Sequence, residues 1–145
     1  MAGWGELERE APELLALARG FFDALTHKTL ATLRRDGSPR ISGTELDLRD
    51  GEAYLGSMWN AVKALDLRRD PRFALHSGSP DPPGWRGDAK LAGRAVEVTE
   101  AGATSHLFRL DIAEVVVVRL GEPADHIVIE AWHEGRGLAE PLVRR

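Results

Sequence analysis

Three polar side chains in the first half of the chain are of types that together bind an anion. Arg40 and Lys63 carry positive charges, and Ser57 carries a hydroxyl donor. Ser57 ends a predicted strand, and Lys63 follows within the first turn of a predicted helix. The first amides of a helix have no partner inside the helix and carry a partial positive charge. The pattern therefore predicts that these amides and the three side chains converge on one phosphoryl group.

The same residues also fit a purely structural interpretation. Lys63 is then one charge on a solvated helix face, and Ser57 caps the start of the helix. Helix starts with this composition are common, and most of them bind no ligand. The residues alone leave both interpretations open.

The elements that must position these side chains are mostly strands. Asp36-Gly37 and Asp50-Gly51 are tight-turn signals, because glycine adopts positive φ without steric cost. Apolar periodicity and turn signals together predict helices over 12–25 and 60–70, a helical turn or two over 101–108, and strands over 28–34, 39–48, 52–57, 72–77, 88–99, 112–120 and 126–132. Asn60 is the predicted cap of the second helix.

About seven short strands without long alternating helices argue against a doubly wound sheet. A closed or half-closed antiparallel barrel with helices at its ends hides the sheet edges that an open sheet exposes. The length of 145 residues suits a single domain over 1–145. We expect an N-terminal helical region over 1–27, the barrel over 28–133 and a charged tail over 134–145.

Composition excludes several classes of function. The chain has no cysteine, so disulfides, thiolate metal sites and a cysteine nucleophile are absent. A net charge of -4 argues against nucleic-acid binding, and no apolar run is long enough for a membrane helix. Residues 1–10 are polar and acidic, unlike a signal peptide, and we expect a cytoplasmic protein. No catalytic triad or phosphate loop is found, and no metal site is predicted from the scattered histidines, His27, His76, His106, His126 and His133.

The order of several segments resembles a known family. "TLATLRRDGSPRIS", "DGEAYLGS" and "KALDLRRDPRFAL" follow one another, and "GDAKLAGRAVEV" and "IVIEAWHEGRGL" come later. Together they resemble the FMN-binding split β-barrels related to pyridoxamine 5'-phosphate oxidase, from Lys28 to Trp132. The resemblance implies a mainly β fold, a six- to seven-stranded antiparallel split β-barrel with short flanking helices.

The resemblance also implies roles for individual residues. Arg40 and Lys63, helped by Ser57, would bind the cofactor phosphate. The ribityl chain and the ring would be lined by Ser42 and by the backbone around Gly56 and Met58. A second subunit would complete the pocket, and the residues expected to do so are Lys90 or Trp132.

The implied function is that of a flavin-dependent oxidoreductase, which binds FMN at a homodimer interface and exchanges electrons with a small-molecule acceptor or donor. No side chain is assigned a catalytic role. Pyridoxal phosphate synthesis is not expected, because 135–138 lacks the histidine-bearing segment that handles substrate in true oxidases of this family. Two alternatives stay open. The motif over 68–71 is shared by relatives that use the deazaflavin coenzyme F-420, and a non-catalytic flavin-binding or storage protein would need the same site.

A homodimer is also predicted from apolar residues on two strands. Val115 to Val118, with Val128 and Ile129, form runs too apolar for a half-exposed sheet in so small a barrel.

Overall fold

Antiparallel strands make up most of the chain, and the computed structural model describes residues 1–145. Three short helices accompany them: α1 (Trp4–Glu10), α2 (Pro12–Ala24) and α3 (Val62–Arg69). The strands are β1 (Lys28–Leu33), β2 (Pro39–Thr44), β3 (Asp47–Arg49), β4 (Glu52–Met58), β5 (Arg72–His76), β6 (Gly87–Glu97), β7 (Ser105–Leu120), β8 (Ile127–His133), β9 (Gly137–Leu138) and β10 (Leu142–Arg144). The predicted mainly β fold with few helices is confirmed.

Strand β7 pairs with three other strands of the sheet. One of its edges pairs with β6, whereas the other pairs first with β4 through Ser105–Arg109 and then with β8 through Glu114–Leu120. The neighbours β2, β1, β5, β6, β7 and β4 follow one another around a curved sheet. Its last members, β2 and β4, contact each other without pairing. The barrel is therefore split between these two strands.

A β-bulge bends the longest strand pair. The register between β6 and β7 shifts between Ala92 and Gly93, which leaves Ala113 as an extra residue on β7. A side chain at Gly93 would overlap the carbonyl oxygen of Asp111. Only glycine allows the two backbones to approach so closely at the point where the sheet curves.

The core joins the N-terminal helices to the barrel. Helix α2 begins at Pro12, as predicted, and buries Leu14, Leu15, Ala18 and Phe22, which follow helical spacing. It packs against β6 and β7. Helix α1, which the sequence did not predict, buries Trp4 and Leu7 in the same cluster. The predicted helical region over 1–27 thus consists of two helices that meet at Ala11.

Three predictions about the strands need correction. Residues 101–108 were expected to be helical, but β7 begins at Ser105, because the alternating side chains that follow pair with β4 and bury His106 and Phe108. The predicted strand over 39–48 is divided into β2 and β3, since each pairs with a different partner. The tail over 134–145 contains β9 and β10, which extend the sheet beside β8.

None of the three helices combines the length and the apolar character that crossing a membrane requires.

Candidate functional site

A cleft of about 730 Å³ opens where the barrel is split between β2 and β4. Its volume lies within the range of small-molecule binding sites. Four of the predicted site residues line it together, namely Gly56, Ser57, Met58 and Lys63. The other lining residues are His27, Gly43, Thr44, Glu45, Leu46, Asp47, Tyr54, Ser105 and Leu107.

The floor of the cleft is the outward face of β4 and β7. Gly56 lies opposite Leu107, and Met58 lies opposite Ser105. A Cβ atom at Gly56 would have no neighbouring heavy atom within 4 Å, and the same holds for Gly43 on the wall formed by β2. These two glycines leave open space that side chains would fill, so a flat ligand can lie directly on the backbone.

The turn between β4 and α3 lies next to the cleft, which Met58 lines before the turn and Lys63 lines after it. The Ala61 N–H donates to the Met58 carbonyl at 3.1 Å, and Asn60 between them has φ 59°. Asparagine tolerates this left-handed conformation better than most residues. No side chain caps the helix, so the prediction that Asn60 caps it was wrong. The Val62 and Lys63 amides at the start of α3 have no hydrogen-bond partner within the chain.

The polar side chains beside these amides are only weakly engaged. Lys63 Nζ donates to the Gly43 carbonyl at 2.7 Å and forms no ion pair with a carboxylate. Ser57 Oγ donates to the neighbouring Met58 carbonyl at 3.2 Å. Both groups can therefore turn toward a ligand. We call Ser57, Met58, Lys63 and the two free amides the α3 end of the cleft.

Arg40 lies on β2 and contacts α3, but it does not line the cleft. Its Nε donates to Asp66 Oδ2 at 2.7 Å, and Asp66 also accepts from Thr32 at 2.8 Å and Arg69 at 3.1 Å. Burial would raise the pKa of the Asp66 carboxyl, but hydrogen bonds from these three donors outweigh it, and the pKa is lowered. Asp66 follows Lys63 by one helical turn. The Nη groups of Arg40 have no hydrogen-bond partner within the chain.

Three other predicted residues lie outside the cleft of this chain. Ser42 Oγ is buried without a hydrogen-bond partner. Lys90 is exposed on β6, opposite His76. Trp132 is 5% exposed, in the core, and its Nε1 donates to Glu10 at 2.9 Å. Lys90 and Trp132 were expected to act from a second subunit, and that expectation stays a prediction.

A buried histidine supports the turn before α3, a role that sequence reasoning missed. His106 has a fully buried side chain, and its Nε2 accepts the Asn60 N–H at 3.1 Å. Its Nδ1 lies 2.8 Å from a carboxylate oxygen of Glu97. The ring of Trp59 stacks on the imidazole with centroids 4.5 Å apart and planes 3° from parallel. The alternation of buried residues around His106 would have revealed that its side chain is buried, had 101–108 been predicted as a strand, but not which partner it has.

Glu97 holds the imidazole of His106 in place through a hydrogen bond. Hydrogen bonds from Arg68, and to a lesser extent from Thr99 and His106, outweigh the effect of burial and lower the pKa of Glu97 to about 2. The carboxylate is therefore ionised at neutral pH and accepts a hydrogen bond from the Nδ1–H of the imidazole.

The other end of the cleft is more acidic and more exposed. We call Glu45, Leu46, Asp47 and Tyr54 the β3 end. Asp47 pairs with Arg49 at 2.7 Å, and Glu45 lies 4.0 Å from the imidazole of His27. Three of the four side chains in these two pairs are mostly exposed to solvent, and the fourth, Arg49, is 45% exposed.

Solved structures of low sequence identity share this architecture. The sequence itself matches no protein-family model and no curated protein. PhzG from Burkholderia lata 383, solved with tetrahydrophenazine-1-carboxylic acid, superposes with a TM-score of 0.71 at 11% identity and covers 94% of this chain and 92% of its own. A pyridoxamine 5'-phosphate oxidase-related FMN-binding protein from Nostoc punctiforme gives a TM-score of 0.61 at 14% identity and covers 94% and 96%.

A third structure on the same fold has a different ligand. A heme-binding protein from Mycobacterium smegmatis gives a TM-score of 0.59 at 17% identity, with 88% of this chain and 86% of that chain covered. The chain thus has the split β-barrel fold of the pyridoxamine 5'-phosphate oxidase-related proteins, as the sequence resemblance predicted. The fold alone does not select the ligand.

Proposed function

We propose that the chain binds FMN in the cleft, with the phosphate at the α3 end and the ring over Gly56, and acts as a flavin-dependent oxidoreductase. The observation that carries this proposal is an open glycine floor that leads to a cation and two free amides. This arrangement matches a flat ring joined to a phosphate, and FMN-binding proteins use the same fold.

The phosphate interacts with groups that lack other strong partners. The Val62 and Lys63 amides point along the start of α3, where the helix dipole favours negative charge. Lys63 Nζ exchanges its carbonyl partner for a phosphate oxygen, and Ser57 Oγ donates as well. Arg40 keeps its Nε on Asp66 and offers its free Nη groups from the neighbouring strand.

The ring lies where the cleft is flat and partly apolar. Gly56 provides the floor, and Met58 and Leu107 provide apolar contacts beside it. Bound there, the isoalloxazine ring supplies hydride transfer, whereas the protein contributes binding, orientation and electrostatics. A small-molecule electron donor or acceptor then approaches from the open side of the cleft.

A homodimer in the cytoplasm is part of this proposal. A cleft open to solvent leaves one face of a ring exposed, and a second copy of the chain would cover it. The valines from which the dimer was predicted are mostly buried inside the single chain, as Val115, Val117 and Val128 are, so they do not support a contact. The support comes instead from exposed apolar side chains near the cleft, since Met58 is 79% exposed and Ile41 is 73% exposed. Sedimentation at micromolar concentration tests this part of the proposal, and a stable monomer would contradict it.

The absorption spectrum of the purified protein tests the cofactor. We expect the two visible bands of a flavin, and mass spectrometry of the released chromophore separates FMN from a deazaflavin. A Soret band would assign the cleft to heme instead. Reduced cofactor that an added acceptor reoxidises with turnover separates an enzyme from a storage protein.

Titration of the protein with FMN and riboflavin tests the phosphate site. Replacing Lys63 by Ala should weaken FMN binding about tenfold or more and leave riboflavin binding nearly unchanged, because only FMN has the charged group. Arg35→Ala is the matched control, since Arg35 is exposed and lies outside the cleft. Equal affinities of the Lys63→Ala variant and the wild type for FMN would contradict the proposed site.

A further inference from the structure

The turn that carries the free amides is supported by two consecutive hydrogen bonds through the buried ring of His106. Asn60 donates its backbone N–H to Nε2 of His106, and Nδ1 of the same ring contacts Glu97. His106 is the residue on β7 between Ser105 and Leu107, both of which line the cleft. The imidazole points the opposite way, into the protein, and its side chain is fully buried.

Hydrogen-bond chemistry fixes the form of this imidazole. A backbone N–H can only donate, so Nε2 must present its lone pair to Asn60. The carboxylate of Glu97 can only accept, so Nδ1 must carry the proton. Arg68 holds Glu97 from α3 with two hydrogen bonds, at 2.5 Å and 3.1 Å. The Asn60 N–H and the Glu97 carboxylate thus select one neutral tautomer.

We propose that His106 is a positioning residue for phosphate binding, acting through the Asn60 amide. The turn needs Asn60 in a left-handed conformation that side chains rarely adopt. The bond to Nε2 and the stacked Trp59 ring hold it there. The start of α3 follows two residues later, so the orientation of the Val62 and Lys63 amides depends on this support. The inference rests on the proposed phosphate site.

Two substitutions of His106 separate positioning from general stability. His106→Phe keeps an aromatic ring against Trp59 but removes the acceptor for Asn60. His106→Gln replaces Nε2 by an amide oxygen that can accept the same N–H. We expect the Phe variant to lose about tenfold in FMN affinity with riboflavin affinity changed less than about twofold, and the Gln variant to recover most of the loss.

The outcomes are distinguishable. An equal loss for FMN and riboflavin, or no loss in the Phe variant, would overturn the role of His106 while the flavin site stands. A wild-type protein that binds neither flavin would overturn the proposed function itself.

Amide hydrogen exchange tests the support without any ligand. In the wild type the Asn60 amide should exchange about a hundredfold more slowly than an unprotected amide, because its partner is a buried ring. The His106→Phe variant should lose this protection while the amides of β6 and β7 keep theirs. An unprotected Asn60 amide in the wild type would refute the inference, and this measurement remains available if the Phe variant does not fold.

Discussion

The two ends of the cleft share strand β4 but are held in different ways. Tyr54 at the β3 end and Met58 at the α3 end are four residues apart, which is roughly 13 Å along a strand. At the α3 end the supporting bonds are made by two buried side chains, Asp66 below the helix and His106 below the turn. At the β3 end the charged side chains pair in solvent, as Asp47 does with Arg49.

This difference separates the fixed from the adaptable part of the site. Buried hydrogen bonds hold their geometry because breaking one leaves an unpaired polar group. Exposed ion pairs contribute little to stability and exchange readily with water. The α3 end therefore suits a group that is the same in every turnover, such as a phosphate. The β3 end suits the part of a ligand that varies.

The largest effect should follow from removal of the buried carboxylate at the α3 end. Asp66→Ala leaves Arg40 and Thr32 without their acceptor, and breaking a buried pair in this way costs about 3 kcal/mol. Urea unfolding measures the loss. The control is Asp23→Ala, because Asp23 is exposed and pairs only with Arg19. A loss below about 1 kcal/mol would remove the distinction between the two ends.

The second-largest effect should be a loss of stability in acid, where Glu97 at the α3 end becomes protonated. The pKa of Glu97 is about 2 in the folded chain, below its ordinary value of 4.5. A lowered pKa means that the ionised form stabilises the fold above the ordinary value and that this contribution is lost as the pH falls from about 4.5 to 2. Glu97→Gln should therefore cost about 2 kcal/mol at pH 7, allowing for partial exposure, and the gap to the wild type should close in acid.

Unfolding free energies measured from pH 7 downward test this expectation. Glu45→Gln is the control from the β3 end, and its curve should run parallel to that of the wild type. A gap between Glu97→Gln and the wild type that stays constant with pH would show that the carboxylate of Glu97 does not titrate as described.

A smaller effect is expected when the floor between the two ends is filled. Gly56→Leu places a side chain in open space, so the fold should tolerate it within about 1 kcal/mol. The same side chain occupies the place of the ring, and FMN affinity should fall at least about tenfold. Gly20→Leu is the matched control, since Gly20 on α2 also faces open space but does not line the cleft. Unchanged FMN affinity of the Gly56→Leu variant would show that the ring does not lie over Gly56.

Local sequence patterns were sufficient to predict much of the fold and part of the site. The turn signals at Asp36-Gly37 and Asp50-Gly51 separate strands that the structure confirms, and Pro12 starts α2 as expected. Gly56, Ser57 and Lys63 lie close in sequence, so a strand followed by a helix is enough to bring them together.

The supports of the site depend on pairs that are distant in sequence. Asp66 meets Arg40 across 26 residues, and Asn60 meets His106 across 46. No periodicity in one segment reveals which partner a buried carboxylate or imidazole has in another. Helix α1 was missed for a different reason, because Trp4 and Leu7 form an apolar face too short to stand out from the acidic residues around it.

The smallest expected effect concerns the carboxylates of the β3 end, and it has the opposite sign. Replacing both Glu45 by Gln and Asp47 by Asn removes two negative charges from the cleft that would bind an anion. At roughly 13 Å in water each charge contributes about 0.3 kcal/mol, so removal of both should raise FMN affinity about threefold in low salt, and the gain should vanish near physiological ionic strength. A control with Asp81→Asn and Glu122→Gln removes the same charge from residues that do not line the cleft and should leave affinity unchanged. A large or salt-independent change would mean that these carboxylates hold the cofactor directly, and the β3 end would then be as fixed as the α3 end.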